Sequence, residues 1–473
     1  MADELTGKPV RQLAELIRTR QVSVADVVEA FLTRTRALNP RLNAFITISA
    51  DHARSRAREM DAEIRSGRYR GPLHGIPYAP KDLLATRDII TTNGSKVTAS
   101  WVPDYESTIT DRLNTAGAIL IGKLNLREFG TGSGVLSGFG PVLNPWGFEY
   151  TAAGSSSGSG AAIAARLTPL SIGTDTGGSI RGPAAVSGVV GLKPTYGRVS
   201  LHGVTPLSWS LDHAGPMAAT VEDTALLLQA IAGHDENDPS SAAEAVPDYV
   251  AALDGGIQGL RVGLPKRHFS EGMHADVDKA YRDATALFAK LGATTVPVDI
   301  PHADLATPAG SLIAMAEAAT FHEKRLRESA ALFDPLVRER LETAGFYLAT
   351  DYIKAQRLRT LLLKEVTDAL RGCDVIAVPA YPRLPARVES PEAARTDAAA
   401  GGSPATYRAS NSYIANMTGI PALVLPCGFS SGAPPLPIAL QLYGRHFDEA
   451  TLFRIGHAYQ QATDWHTRRP PLD

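Results

Sequence analysis

Apolar positions recur at helical spacing over residues 9–39. Leu13, Leu16 and Ile17 share one face, and after Ser23, a candidate N-cap, Val27, Val28, Phe31 and Leu32 repeat the pattern. Asn39-Pro40 is expected to end it. NAFITI (43–48) reads as a short buried strand, and DHARSRAREMDAEIRSG as a charged helix closing on Gly67. AILIGKL (118–124) is strand-like. Beyond it, strand-like SIG and GLKP alternate with helix-like AAIAARL up to about residue 200. VEDTALLLQAIAG (221–233) is a helix ending at Gly233, and the polar HDENDPSSAAEAVPD marks a composition break. The pattern then restarts, with RVGLP as a strand, VDKAYRDATALFAKLGA as an amphipathic helix and TTVPVDI as a strand. Residues 311–371 are helix-rich, DVIAVPA (374–380) and ALVLPCGF (422–429) read as buried strands, and SPEAARTDAAAGGSPAT (390–406) as a mobile functional loop. Short apolar runs alternating with helical patterns predict an α/β fold rather than a β-sandwich.

Composition narrows the possibilities. With 473 residues, 44% apolar and 20% charged, the chain can bury a sizeable core and is not disordered. Its formal net charge is −2 with the two signs interleaved, which leaves no footprint for nucleic acid or an anionic membrane. Only Cys373 and Cys427 are present, so a disulfide framework or a Cys-built zinc cluster is excluded. Both read as small buried hydrophobes, and so low a count suits a reducing compartment. MADELTGKPVRQLAELIRTRQ has no apolar signal core, and no run approaches the roughly 18 apolar residues of a membrane span. A soluble cytoplasmic protein without metal or cofactor is expected.

GSSSGSG (154–160) raises the question of chemistry. A linker would separate two self-contained blocks, but this run leads straight into helix-forming AAIAARL. The phosphate-loop spacing G-x-x-x-x-G-K-[ST] is absent. GSSSG matches the G-x-S-x-G elbow with Ser156 at its centre, yet the preceding GFEYTAA is a poor strand. A second segment, GTDTGGSIRGP (173–183), is more informative. Thr176, Gly177, Gly178 and Ser179 form a run in which the glycines let successive N–H groups curl inward as an oxyanion nest, with a serine hydroxyl beside it. A nucleophilic Ser179 needs a base. His202 and His213 have no obvious orienting partner. Lys81, in the proline-stiffened GIPYAPKDLL, can serve if burial or nearby cations keep it neutral.

Together GIPYAPKD (75–82), AGSSSGSGAAIAA (153–165), GTDTGGSIRGPAA (173–185) and GLKPTYGRVSLHGVTPLSWSLDHAGP (191–216) resemble the amidase signature family. The likeness extends to NLREFGTGS, NPW and the C-terminal GIPALVLPCGF to DWH, and is weakest over about 240–410. It implies a large mixed sheet flanked by helices, as one domain over 1–473: N-terminal helices (9–70), a catalytic core (71–235), a variable helix-rich substrate or lid region (265–410) and a core-completing segment (411–470). It also implies a triad. Ser179 would be the nucleophile, Ser155 a bridging serine on a cis peptide, and Lys81 the base. Backbone N–H groups of Thr176, Gly177, Gly178 and Ser179 would form the oxyanion hole. Asp175 and Arg181 would hold the loop, and Gly132 and Ser133 would line the acyl pocket. Leu124, Arg127, Ser157 and Ser159 depart from the usual pattern, which bears on substrate and not on reaction class. The implied activity is hydrolysis of small aryl or alkyl amides, with anilides, esters and carbamates also accessible, by a protein acting alone or as a homodimer. The alternatives are the glutamine-hydrolysing component of a tRNA-dependent amidotransferase and a silent binding scaffold.

Overall fold

The computed structural model describes residues 2–131, 137–387 and 411–472. Their strands, in chain order, are β1 (Phe45–Ile48), β2 (Pro77–Pro80), β3 (Ile119–Leu120), β4 (Gly122–Leu124), β5 (Leu170–Asp175), β6 (Val190–Lys193), β7 (His213–Ala218), β8 (Arg261–Pro265), β9 (Thr294–Val298), β10 (Val375–Pro379), β11 (Ala422–Phe429) and β12 (Pro437–Tyr443). Ten of them form one sheet in the order β3-β2-β5-β7-β6-β11-β12-β10-β8-β9, while β1 and β4 pair separately. The sheet is mixed. β2 runs parallel to β3 and β5, and β8 parallel to β9 and β10, whereas the central strands are antiparallel. This is the expected α/β class.

The continuous apolar runs of β11 and β12 follow from burial on both faces. Leu423, Leu425 and Cys427 join a core with Leu452 and Phe453, whereas Val424, between them, packs with Ile180, Ala184 and Met217. Strand side chains alternate sides, so helices must cover the sheet above and below. The larger core reaches from Leu5 to Leu472 and so joins both ends of the chain. Among the described residues no helix is long and apolar enough to cross a membrane.

The local expectations hold in most elements and fail instructively in two, while two strands carry no expectation at all. The helix from Val24 passes through Pro40 and ends at Leu42. Pro40 lies in the last turn, where the helix gives up one backbone bond just before it ends, and the Asn39 side chain grips both backbone groups of Phe45. AILIGKL is not one strand: β3 belongs to the large sheet and β4 to the small one, with Ile121 between them bonded to Tyr78 and Ser49. Finally, β2 and β7 carry proline or glycine yet lie inside the sheet. The 390–406 loop lies outside the described residues.

Candidate active site

Two neighbouring parallel strands set the frame. β2 and β5 pair through Tyr78 with Leu170 and Pro80 with Ile172, so both carboxyl ends point the same way. Lys81 follows β2 directly, and its N–H donates to the Ile172 carbonyl at 2.8 Å. The Thr176–Ser179 loop leaves the end of β5 beside it. Lys81 and the glycine-rich loop, remote in sequence, thereby share one rim of the sheet.

Ser155 is brought to the same place by the start of the helix Ser157–Ala164, and the Gly154–Ser155 peptide is cis. The fully buried Lys81 Nζ donates to Ser155 Oγ and to Thr174 Oγ1, each at 2.7 Å. Burial lowers the Lys81 pKa from 10.5 to about 7. Asp212 and Asp175 oppose the fall and Arg127 adds to it. Gly154 has no room for a β-carbon, which would lie 2.3 Å from Arg127 Nε.

Ser156 has a different task. Its hydroxyl donates to the Thr174 carbonyl at 3.2 Å and accepts from the Thr174 N–H at 3.3 Å, while its N–H donates to the Ser179 carbonyl at 3.2 Å. The middle serine thus pins the helix start to β5 and to the loop. Ser179 is half-buried at the end of that loop.

Asp175 and Arg181 hold the loop as a buried bidentate pair, with Nη2–Oδ1 at 2.9 Å and Nε–Oδ2 at 3.0 Å. The Asp175 carboxylate also accepts from the N–H groups of Gly178 (2.7 Å) and Ile180 (3.0 Å). Burial pushes this carboxyl up, but Arg181 and the N–H donors overcome it and hold it well below the usual range. The Gly178 N–H, one of the expected oxyanion donors with those of Thr176, Gly177 and Ser179, thus points to Asp175 in this structure. Gly178 keeps its importance through its backbone, at φ +111, where a side chain would be strained and would meet Ser412.

Further residues complete the frame that the sequence alone did not single out. Asn416 accepts from Arg181 Nη2 at 2.6 Å and donates to the Asp175 carbonyl at 2.8 Å, and Gln441 accepts from Arg181 Nη1 at 2.9 Å. Asp212 accepts from the Thr176 hydroxyl and from the N–H groups of Leu207 (2.8 Å) and Ser208 (3.0 Å), and burial raises its carboxyl to about 6. Thr174 completes the Lys81 environment. An amide side chain in the largely apolar IANMTGI is the one signal that could have found Asn416. Asp82, next to Lys81, faces away into a buried pair with Lys123 at 3.1 Å. His213 sets its Nδ1 2.8 Å from the Leu211 carbonyl, and burial together with Lys193 lowers its pKa well below the ordinary value. Gly132 and Ser133 lie outside the described residues.

The Amidase family model matches residues 26–453 of this chain. The glutamyl-tRNA(Gln) amidotransferase of Coxiella burnetii has an A-type subunit that is 41% identical, covering 98% of this chain and 99% of its own. A solved chain from a vestigial protein complex, tied to the evolutionary origins of an s-triazine catabolic enzyme, matches with a TM-score of 0.89 at 32% identity over 96% of this chain and 98% of its own. The peptide amidase of Stenotrophomonas maltophilia matches with a TM-score of 0.83 at 32% identity over 98% of both chains. Fold and comparisons define an enzyme that hydrolyses amides. The chain belongs to the amidase signature family.

Proposed function

We propose that this protein is a free-standing hydrolase of carboxamide C–N bonds, acting on small aryl or alkyl amides and extending to esters and carbamates. The observation that carries this reading is a buried lysine, its pKa near 7, hydrogen-bonded at 2.7 Å to Ser155, whose neighbour Ser156 donates its N–H to the Ser179 carbonyl of the glycine-rich loop. At neutral pH a large fraction of Lys81 is free amine. It takes the Ser155 proton as Ser155 takes that of Ser179, and Ser179 Oγ attacks the acyl carbon. The oxyanion forms against the N–H groups of Thr176, Gly177 and Ser179. The proton then returns through Ser155 to the leaving nitrogen, the C–N bond breaks, and water releases the acyl group by the same relay. Amines leave poorly, so protonation in place is a large part of the work. Esters and carbamates need less of that help.

The helix-rich region fits a substrate-covering role. The helix Ala306–Ser329 reaches the site through Tyr413, whose ring packs against both Gly310 and Gly177. Two buried free cysteines, Cys373 and Cys427, fit a cytoplasmic setting.

A second reading, the glutamine-hydrolysing component of an amidotransferase, is favoured by the 41% identity to the Coxiella protein. One assay separates the two. Purified protein alone should release p-nitroaniline from simple anilides, and Ser179→Ala should abolish the release. Turnover of glutamine only, and only with partner proteins, would establish the second reading instead. The kcat/KM of the free enzyme should fall tenfold per pH unit below about pH 7 as Lys81 takes a proton. A flat profile into strongly acidic pH would refute the lysine base.

A further inference from the structure

Arg127 packs around Ser155, the middle member of the relay. Its backbone N–H donates to the Ser155 carbonyl at 3.1 Å, and its own carbonyl accepts from the Gly130 N–H at 2.8 Å. Its side chain crosses the face of Gly154, so that a β-carbon placed there would lie 2.3 Å from Nε, 2.6 Å from Cδ and 2.8 Å from Cζ. A cationic group is thus packed on the residue before Ser155, while Ser155 Oγ holds the Lys81 ammonium or amine at 2.7 Å. The other charges that face Lys81 are Asp175 and Asp212. Both are already engaged, Asp175 by Arg181 and Asp212 by Thr176 and two backbone N–H groups.

We infer that Arg127 is a positioning residue of the relay, its main chain seating Ser155 and its guanidinium keeping Lys81 in the neutral, proton-accepting form. The inference rests on the relay proposed above. Burial is the main reason the Lys81 pKa falls. Arg127 pushes it in the same direction, against the two carboxylates. A second cation beside a desolvated lysine is a known physical route to an amine that is free at neutral pH. Burial raises the Tyr381 phenol, and Arg127 opposes that rise.

The test is the kcat/KM profile on a p-nitroanilide from pH 5 to pH 10 for wild type, Arg127→Gln and Arg127→Lys. Removing the charge should move the acid limb up by about one pH unit, giving roughly tenfold lower kcat/KM below pH 7 and recovery above pH 9. Arg127→Lys, which keeps the charge, should leave the limb within a few tenths of a unit of wild type. The position of a limb does not depend on how much enzyme is folded, so a partly destabilised Arg127→Gln still reports. An unmoved limb in that variant, whatever its overall rate, overturns the inference and leaves the relay standing. A wild-type profile with no acid limb overturns the relay, and the inference with it.

Discussion

Replacing Lys81 by Met should make the protein inactive and, near neutral pH, more stable. An ordinary lysine has a pKa of 10.5, and in the folded chain burial lowers it to about 7. The unfolded chain therefore holds this proton more tightly than the folded one. Below pH 7 the folded state bears the full penalty, about 5 kcal/mol. The penalty shrinks as pH rises towards the unfolded value, so this group makes stability climb by about 1.4 kcal/mol per pH unit between pH 7 and 10. Methionine removes the penalty at every pH. It also gives up the bonds to Ser155 Oγ and Thr174 Oγ1, at about 1 kcal/mol each. The net expectation is a variant more stable by about 3 kcal/mol at pH 6 and about equal to wild type at pH 9. Urea unfolding followed by tryptophan fluorescence at both pH values measures the difference. A difference that stays constant between pH 6 and pH 9 would refute the reasoning, since it would mean that Lys81 is charged in both states throughout.

Four substitutions probe the rest of the frame. Ser156→Ala should cost about 1 kcal/mol in a urea melt and keep turnover within about tenfold, because Ser156 Oγ bonds only to the Thr174 backbone. Ser155→Ala and Ser179→Ala should each lose about 1000-fold or more, and equal losses in all three variants would return the elbow assignment. Asp175→Asn strands the buried Arg181 charge and should destabilise the fold by about 3–5 kcal/mol and abolish turnover, as read by urea midpoint and anilide release.

What is legible in the chain follows its periodicity. ALVLPCGF reads as a strand and is one, Ala422–Phe429, because eight apolar residues buried on both faces leave no ambiguity. β2 and β7 escape such a reading because PYAP and HAGPMA break strand propensity, and only their partners in the sheet keep them extended. Lys81, Ser155 and Ser179 emerge through the joint likeness of three segments. No local rule links a lysine to a serine 74 positions away. Asp212, Thr174 and Asn416 stay hidden because their roles exist only once the strands are side by side. The bond from the Gly178 N–H to Asp175 is likewise hidden, because glycines mark a flexible backbone without saying which way its amide turns.

The Arg181 cluster has a consequence for how the protein comes into being. Arg181 is held by Asp175 six residues before it, and by Ser412, Asn416 and then Gln441, 260 positions further on. The glycine-rich loop is therefore synthesised well before most of the partners that clamp Arg181. Only when the final strands close on the sheet does the guanidinium gain its last partners. The two ends of this cluster thus meet only when the C-terminal strands join the sheet, so the geometry of the loop is a property of the whole chain and not of its own segment.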